Sequence, residues 1–427
     1  MSLAEILIPV VLILVVLSLL KCPIYVSILA AAIYLQVFVN NMSLTNVFTG
    51  FFEAMTKNSL MAVPYFMVAG SIIAASSLGT RLINVFIELF KAVRGGLPIA
   101  CVVANGVFGA ISGSGPAATA VFGKICHKPL AERHGDKLAL GVIVSSASLS
   151  TIIPPSISMI IFGVATETSI TKLFLAGFIP GIFIVLVVSI YLIIVCKPKP
   201  GMVVEKFSGR AFLKALWKGI PVLILPVIVL GGVYSGLCSP TESGAMAALY
   251  SFIVAVFVLR DIKPRQIVPV FKDSARTTAQ VFLLIATSTV FSQAATIAQL
   301  PAKLSAAFAG MNQIQFLLML NVLLLIMGCF FDTGAAILIL APMLLPTALA
   351  LNIAPLHLGI VFVANLAIGL FTPPFGLNIF VAQSVLKEPM GKISRALVPY
   401  IIIYIVCVLV ITYIPSMSTW LPSVLGG

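Results

Sequence analysis

The stretch NGVFGAISGSGPAATAVF, Asn105 to Phe122, has a counterpart in LIMGCFFDTGAAILIL, Leu325 to Leu340. Each is an apolar run interrupted near its middle by residues that make poor helix, SGSGP at 112–116 and FDTG at 331–334. Each is followed by an apolar run broken at a double proline, STIIPPS at 150–156 and FTPPFG at 371–376. An offset of 219 carries Gly109 to Gly328, Gly115 to Gly334, Ala117 to Ala336, Pro154 and Pro155 to Pro373 and Pro374, and Pro180 to Pro399. Non-helical backbone persists at bilayer depth only where it is buried in protein or lines a water-filled cavity. The four breaks therefore read as one site, built by two copies of one unit.

Composition agrees with a bilayer setting. The 427 residues are 61% hydrophobic and 9% charged, with a mean hydropathy of +1.19, which excludes a soluble globule. The 25 Lys and Arg against 12 Asp and Glu could suggest nucleic acid. They fall instead in short runs between apolar segments, which marks cytoplasmic loops facing anionic lipid headgroups. Seven cysteines, at 22, 101, 126, 196, 238, 329 and 407, are scattered without metal spacing and read as small apolar filler. The N-terminal MSLAEILIPVVLILVVLSLLKC lacks a basic start and a cleavage site, so it reads as a retained first span.

Charge orients the segments. Leu3–Leu20 and Pro23–Val39 are spans joined at Lys21 on the inside, and 41–59 has an apolar stripe suited to an interfacial arm. Leu60–Leu78 returns towards Arg81, Lys91 and Arg94. The run at about 96–126 is split by SGSGP into two arms of roughly 13 residues, about 20 Å each, too short for a core of about 30 Å. Lys91 and Arg94 precede it and Lys124, Lys128, Arg133 and Lys137 follow, so it reads as a hairpin re-entering from the cytoplasm. A broken span at about 138–163, a span at Leu173–Val195 and a basic connector at 197–218 complete a first repeat, 1–196.

The second repeat, 219–427, starts inside and so runs inverted. It comprises spans at Gly219–Tyr234 and Pro240–Leu259, an arm at 261–276, a span at Thr277–Gln299, a hairpin entering from the periplasm at about 309–352, a broken span at about 357–386 and a last span at Val398–Ile414. The predicted fold class is an all-α polytopic membrane protein of two inverted repeats, each with a re-entrant hairpin and a broken helix, the signature of a secondary transporter; the family that the chain resembles, named below, implies the elevator type of ion transporter.

Helices that stop in mid-membrane leave carbonyls for a hard cation such as Na⁺, and helices that restart there aim N–H groups at an anion. One cation near each hairpin, with the anion between them, is the economical arrangement. The first sodium set is Gly109, Ser112, Ser114, Ser150, Thr151, Ile153 and Pro155; the second is Gly328, Asp332, Thr333, Gly369, Thr372 and Phe375. The substrate set is Ser112, Gly113, Ser114, Ser156, Asp332, Thr333, Gly334, Asn365 and Pro374. Plainer roles compete. Asp332 could simply N-cap the helix from Thr333. Asn365 could form a helix–helix hydrogen bond. Ser239-Pro240-Thr241-Glu242 reads as a capping box, and His127, His134 and His357 sit at segment ends where solvated histidines belong. An intramembrane enzyme is disfavoured, because there is no H-E-x-x-H, no paired intramembrane aspartates and no serine with a histidine at its level.

At these residues the chain resembles the large, DctM-like membrane subunit of tripartite ATP-independent periplasmic (TRAP) transporters. The matching stretches are SGSGPA, TIIPPSISMIIFG followed by KLFLAGFIPG, YSGLCSPTESGAMAALY at 234–250 and GLFTPPFGLNIFV. The resemblance implies a multi-pass protein of the bacterial inner membrane and sodium-driven import of an acidic solute, of sialic acid or C4-dicarboxylate type. It further implies a small four-helix, DctQ-like membrane subunit and a periplasmic substrate-binding protein as partners, with no cofactor beyond Na⁺ as coupling ion. Stand-alone sodium-coupled carboxylate transporters share much of this architecture and remain the alternative.

Overall fold

In the computed structural model the described residues are 3–20, 22–56, 58–196, 206–308, 310–374 and 376–425. Lys21, Lys57, the connector's 197–205 and Phe375 thus lie outside them. Among the described residues eight helices are long and apolar enough to cross a membrane, or nine if one bent pair counts as a span.

The first repeat runs α1 (Leu3–Leu19), α2 (Ile24–Ile33, continued as a π-helical turn Tyr34–Val39), α3 (Leu44–Met55), α4 (Ala62–Ala75), α5 (Leu78–Phe90), α6 (Gly96–Ser112), α7 (Gly115–His134), α8 (Asp136–Ser146), α9 (Leu149–Ile152), α10 (Ile157–Thr166) and α11 (Ile170–Val195). The second runs α12 (Gly209–Tyr234), α13 (Pro240–Ile253, continued as a π-helical turn Val254–Val258), α14 (Pro264–Ile297), α15 (Leu300–Ala307), α16 (Gln313–Phe330), α17 (Thr333–Ala350), α18 (Pro355–Gly369), α19 (Leu377–Leu386), α20 (Met390–Tyr413) and α21 (Ser416–Leu425). The repeat extends to backbone detail. Asn41 and Arg260, 219 apart, both adopt positive φ after the paired π-helical turns, and Pro154–Pro155 and Pro373–Pro374 are both cis. The chain is an all-α polytopic fold of two inverted repeats.

Several boundaries differ from the sequence reading, each for a local reason. The second arm of the first hairpin does not end near 126 but continues through the charged stretch to His134, where Gly135 at φ 87° stops it. The second interfacial arm and the exit span are one 34-residue helix, α14, because no break corresponds to the one after α3. α12 begins at Gly209, ten positions inside the predicted connector, with the Ser208 side chain accepting from the Ala211 N–H as N-cap. After Leu78 the chain forms α5, a helix bent 73° from α4, and the tail forms α21, packed on α11. His357 is not a solvated histidine: it is buried, with Nδ1 2.8 Å from the Ser418 hydroxyl and Nε2 3.0 Å from the Thr412 carbonyl, pinning α18 to α20 and α21.

Two layers organise the helices. A frame is made by α2, α4, α12, α13 and α14, with α13 on α4, α14 on α2 and α4, and α12 on α13 and α5. The core holds the hairpins and broken helices, and its packing is exchanged between repeats. Hairpin helix α17 rests on α10 of the first repeat, and hairpin helix α7 rests on α19 of the second. The first hairpin folds back on itself about its tip, where Phe108 meets Phe122 edge-on at 5.5 Å.

Candidate functional site

At the first tip α6 ends when Gly113 takes a left-handed conformation (φ 59°) and its N–H returns to the Gly109 carbonyl. A β-carbon there would be strained and would also crowd the Ile157 backbone N at 3.1 Å, so glycine is favoured. α7 restarts two residues later, capped by Ser114, whose hydroxyl accepts from the Ala117 N–H at 3.4 Å. The second tip uses a different residue for the same task. Asp332, in extended conformation, caps α17 by accepting from the Gly334 N–H at 3.0 Å. The carboxylate remains exposed to the cavity described below. Capping thus uses one carboxylate oxygen and leaves other lone pairs of the same side chain free of it.

Each hairpin crosses its broken helix where a side chain would not fit. A Cβ on Gly109 would overlap the Ser150 backbone, and one on Gly369 would overlap the Gly328 backbone. These two crossings are themselves related by 219 positions, Gly109 to Gly328 and Ser150 to Gly369. Buried amides brace them. Asn105 Nδ2 donates to Ser146 Oγ at 2.8 Å, and Asn365 Nδ2 donates to Asn321 Oδ1 at 2.7 Å, joining the first arm of each hairpin to its broken helix.

The hairpin tips and breaks meet at one cavity of about 450 Å³. Of the residues proposed from sequence, Gly113, Ser114, Thr151, Asp332, Thr333 and Gly334 line it. All four restarting helices reach its wall near their N-termini: α7 with Gly115 and Pro116, α10 with Ile157 and Ser158, α17 with Thr333 and Gly334, and α19 with Leu377. The opposite wall is frame, including Tyr25 of α2, Met67 of α4 and Thr277 and Gln280 of α14. Among the described residues Asp332 is the only Asp, Glu, Lys, Arg or His on the wall. The Thr333 hydroxyl, at 5% residue exposure, has no hydrogen-bond partner among the described residues. A buried hydroxyl without a partner costs free energy unless a ligand completes it.

The other described residues of the proposed sets do not line the cavity, and Phe375 lies outside the described residues. Ser112 lies buried at the tip against Gly70 of the frame. Ser150 donates its hydroxyl to the Ala147 carbonyl, and Ser156 reaches back across the break to the Thr151 carbonyl. Ile153 and Pro155 form the break itself, as does Pro374 in the second repeat. In that second break, the carbonyls of Gly369, Leu370 and Thr372 accept from the N–H groups of Thr372, Asn378 and Gly376. Asn365 is held between helices by Asn321. Ser158, Thr277, Gln280 and Asn378 escaped the sequence reading. Ser158 is a lone polar residue on an apolar helix, which was the available signal, whereas Thr277 and Gln280 are hidden in the polar stretch KDSARTTAQ at 272–280. Asn378, fully buried, donates to the Val144 carbonyl at 3.3 Å and leaves its own carbonyl oxygen unpaired beside Gly115.

Comparison with known proteins decides the family. The model of the tripartite ATP-independent periplasmic transporter DctM component matches residues 11–417. The chain belongs to the DctM family. It is accordingly a multi-pass inner-membrane transporter permease, a component of a tripartite system. It is 38% identical over 378 residues to the C4-dicarboxylate TRAP transporter large permease protein DctM of Pseudomonas aeruginosa, covering 88% of each chain. It is 31% identical to the sialic acid TRAP transporter large permease protein SiaM of Vibrio cholerae, covering 86% of this chain and 87% of that one. The fold is similar to the crystal structure of the YdaH transporter of Alcanivorax borkumensis, described as having an unusual topology, with a TM-score of 0.58 at 17% identity over 86% of this chain and 87% of that one.

Proposed function

We propose that this DctM-family permease imports an acidic organic solute, driven by Na⁺, through the cavity at the hairpin tips. The carrying observation is the electrostatics of that cavity. Four helix N-termini converge on it, which favours an anionic group. Yet its only fixed charge among the described residues is the Asp332 carboxylate, and it has no Lys or Arg to oppose a carboxylate substrate. Bringing a second negative charge to this depth requires a mobile cation to come with it. Sodium ions near Ser114 and Thr151, and near Asp332 and Thr333, meet that requirement. The remaining described members of the two sets position these ligands, and Gly113 and Gly334 present backbone to the substrate.

The cavity's position between core and frame supports an elevator motion, in which the hairpins and broken helices slide as one body past α2, α4 and α14. The tip of the first hairpin meets the frame at a small contact, Ser112 against Gly70, as a sliding surface needs. The domain division into repeats at 1–196 and 219–427, joined through 197–218, fits the same scheme. A small four-helix membrane subunit and a periplasmic binding protein complete the transporter on this reading. The higher identity to the C4-dicarboxylate relative favours a dicarboxylate over a sialic acid as substrate.

Uptake into proteoliposomes containing this permease and its small subunit, with the cognate binding protein outside, tests each part. Accumulation should require an inward Na⁺ gradient and the binding protein. Uptake of free substrate with no periplasmic protein would replace the tripartite reading with that of a stand-alone transporter. Uptake driven equally well by K⁺ would remove sodium coupling.

A further inference from the structure

A second concavity, of about 590 Å³, lies far from the transport cavity in sequence, between α5 and the first turns of α12. Its walls carry Arg81, Asn84 and Glu88 from α5 and Lys214 and Lys218 from α12. Glu88 is already engaged, 3.4 Å from Lys91. Lys214 and Lys218 are exposed and form no ion pair among the described residues. Arg81 is anchored in place, donating from Nε to Ser77 Oγ at 2.9 Å and from Nη1 to the Lys218 carbonyl at 3.3 Å, so it spans the groove from one helix to the other. Its anchor is fixed in turn, because the Ser77 N–H and hydroxyl both donate to Asp261.

The groove sits at headgroup depth. The 73° bend after α4 turns α5 away from the direction of the span, and α5 buries Leu82, Ile83 and Val85 while directing its polar face into the groove. On α12, Trp217 is 77% exposed and Leu213 63% exposed, next to the two lysines. Tryptophan beside lysine on a membrane-facing helix marks the interface, with the ammonium groups reaching towards the lipid phosphates. The same end of the molecule carries Arg94, which donates to the Cys196 carbonyl, and the basic residues around it identify the cytoplasmic leaflet.

We propose that this groove is a binding site for the phosphate headgroup of an anionic phospholipid of the cytoplasmic leaflet. Lys214, Lys218 and Arg81 face the phosphate, and Trp217 and Leu213 lie alongside the first acyl carbons. Basic pockets between helices at this depth favour such headgroups by charge, and the bilayer supplies them at high local concentration. The occupied groove would tie α5 to α12, at the junction of the two repeats.

Native mass spectrometry of the full chain released from nanodiscs of phosphatidylethanolamine and phosphatidylglycerol tests the site. The wild-type chain should retain phosphatidylglycerol in preference to phosphatidylethanolamine. The Lys214→Gln/Lys218→Gln variant should lose that preference by about tenfold, while Lys172→Gln, at an exposed position on α11, keeps it. Asn84→Glu, which leaves both lysines in place and puts a negative charge on the groove wall, should reproduce the loss if the double variant does not fold. Equal retention by wild type and variants overturns the proposal. Displacement of the lipid by inorganic phosphate alone, with the same protection against heat, would make this a free-anion site and overturn the lipid assignment. Exclusion of phosphatidylglycerol by the bound small subunit would make it a protein interface and do the same.

Discussion

Replacing Gly369 by alanine should force α18 away from α16. The added Cβ would stand about 1 Å inside the 3.4 Å of ordinary contact, against the backbone of Gly328, which has no rotamer with which to yield. Overpacking of this kind costs about 1–3 kcal/mol. The displaced segment is also the support of the second tip, since Asp332 follows Gly328 by one helical turn. A shift of about 1 Å in a ligand set can cost two orders of magnitude, and the tip absorbs part of it, so the Na⁺ concentration for half-maximal uptake should rise about tenfold. The assay pairs a Na⁺ titration of uptake in proteoliposomes with thermal unfolding of the purified chain. Gly391→Ala, with open space around its Cβ, is the control. If Gly369→Ala matches Gly391→Ala in both readouts, the crossing does not position the tip and the reasoning fails.

Three further experiments probe the site and its orientation. Thr333→Val removes a hydroxyl that has no partner among the described residues, so thermal stability should hold within about 0.5 kcal/mol while the Na⁺ or substrate requirement rises; unaltered titrations would show that the hydroxyl touches no ligand. Asp332→Asn keeps a competent N-cap, so the protein should reach the membrane in normal amount with uptake reduced about tenfold, the loss of one charge-assisted contact; wild-type kinetics would leave capping as the residue's whole role. Cysteines placed at Gly95 and Lys128 should both react from the cytoplasmic side, and labelling from opposite sides would rule out a re-entrant first hairpin.

The parts of the fold that were legible in the sequence are those set by strong local chemistry. Double prolines, SGSGP and Asp332-Thr333-Gly334 cannot continue a helix, so the breaks fell where expected, and Ser239 and Glu242 form the expected reciprocal cap, with Glu242 Oε2 2.7 Å from the Ser239 N–H. What was not legible depends on partners distant in sequence. His357 looks like a solvated terminus until Ser418 and Thr412, more than fifty residues away, cover it. The donor groups of Asn365 and Ser150 go to Asn321 and to the Ala147 carbonyl, while Asn365 Oδ1 has no partner among the described residues, a division the sequence does not display. Helix lengths were also underestimated, since hydropathy ends a span at its first charges whereas α7 and α12 continue as helix through Lys124–Arg133 and Arg210–Lys218.

The exchanged packing of the core has a consequence for biogenesis. α10 finds its seat on α17, and α7 on α19, so the first repeat emerges from the ribosome with both faces bare. About 170 further residues must be made before α17 arrives, roughly 10–30 s of translation at about 5–20 residues per second. During that interval the nascent half depends on lipid, insertase or chaperone to cover helix faces destined for its sibling. Two polypeptides divided at the connector should therefore survive only when synthesised together, each acting as the folding template of the other.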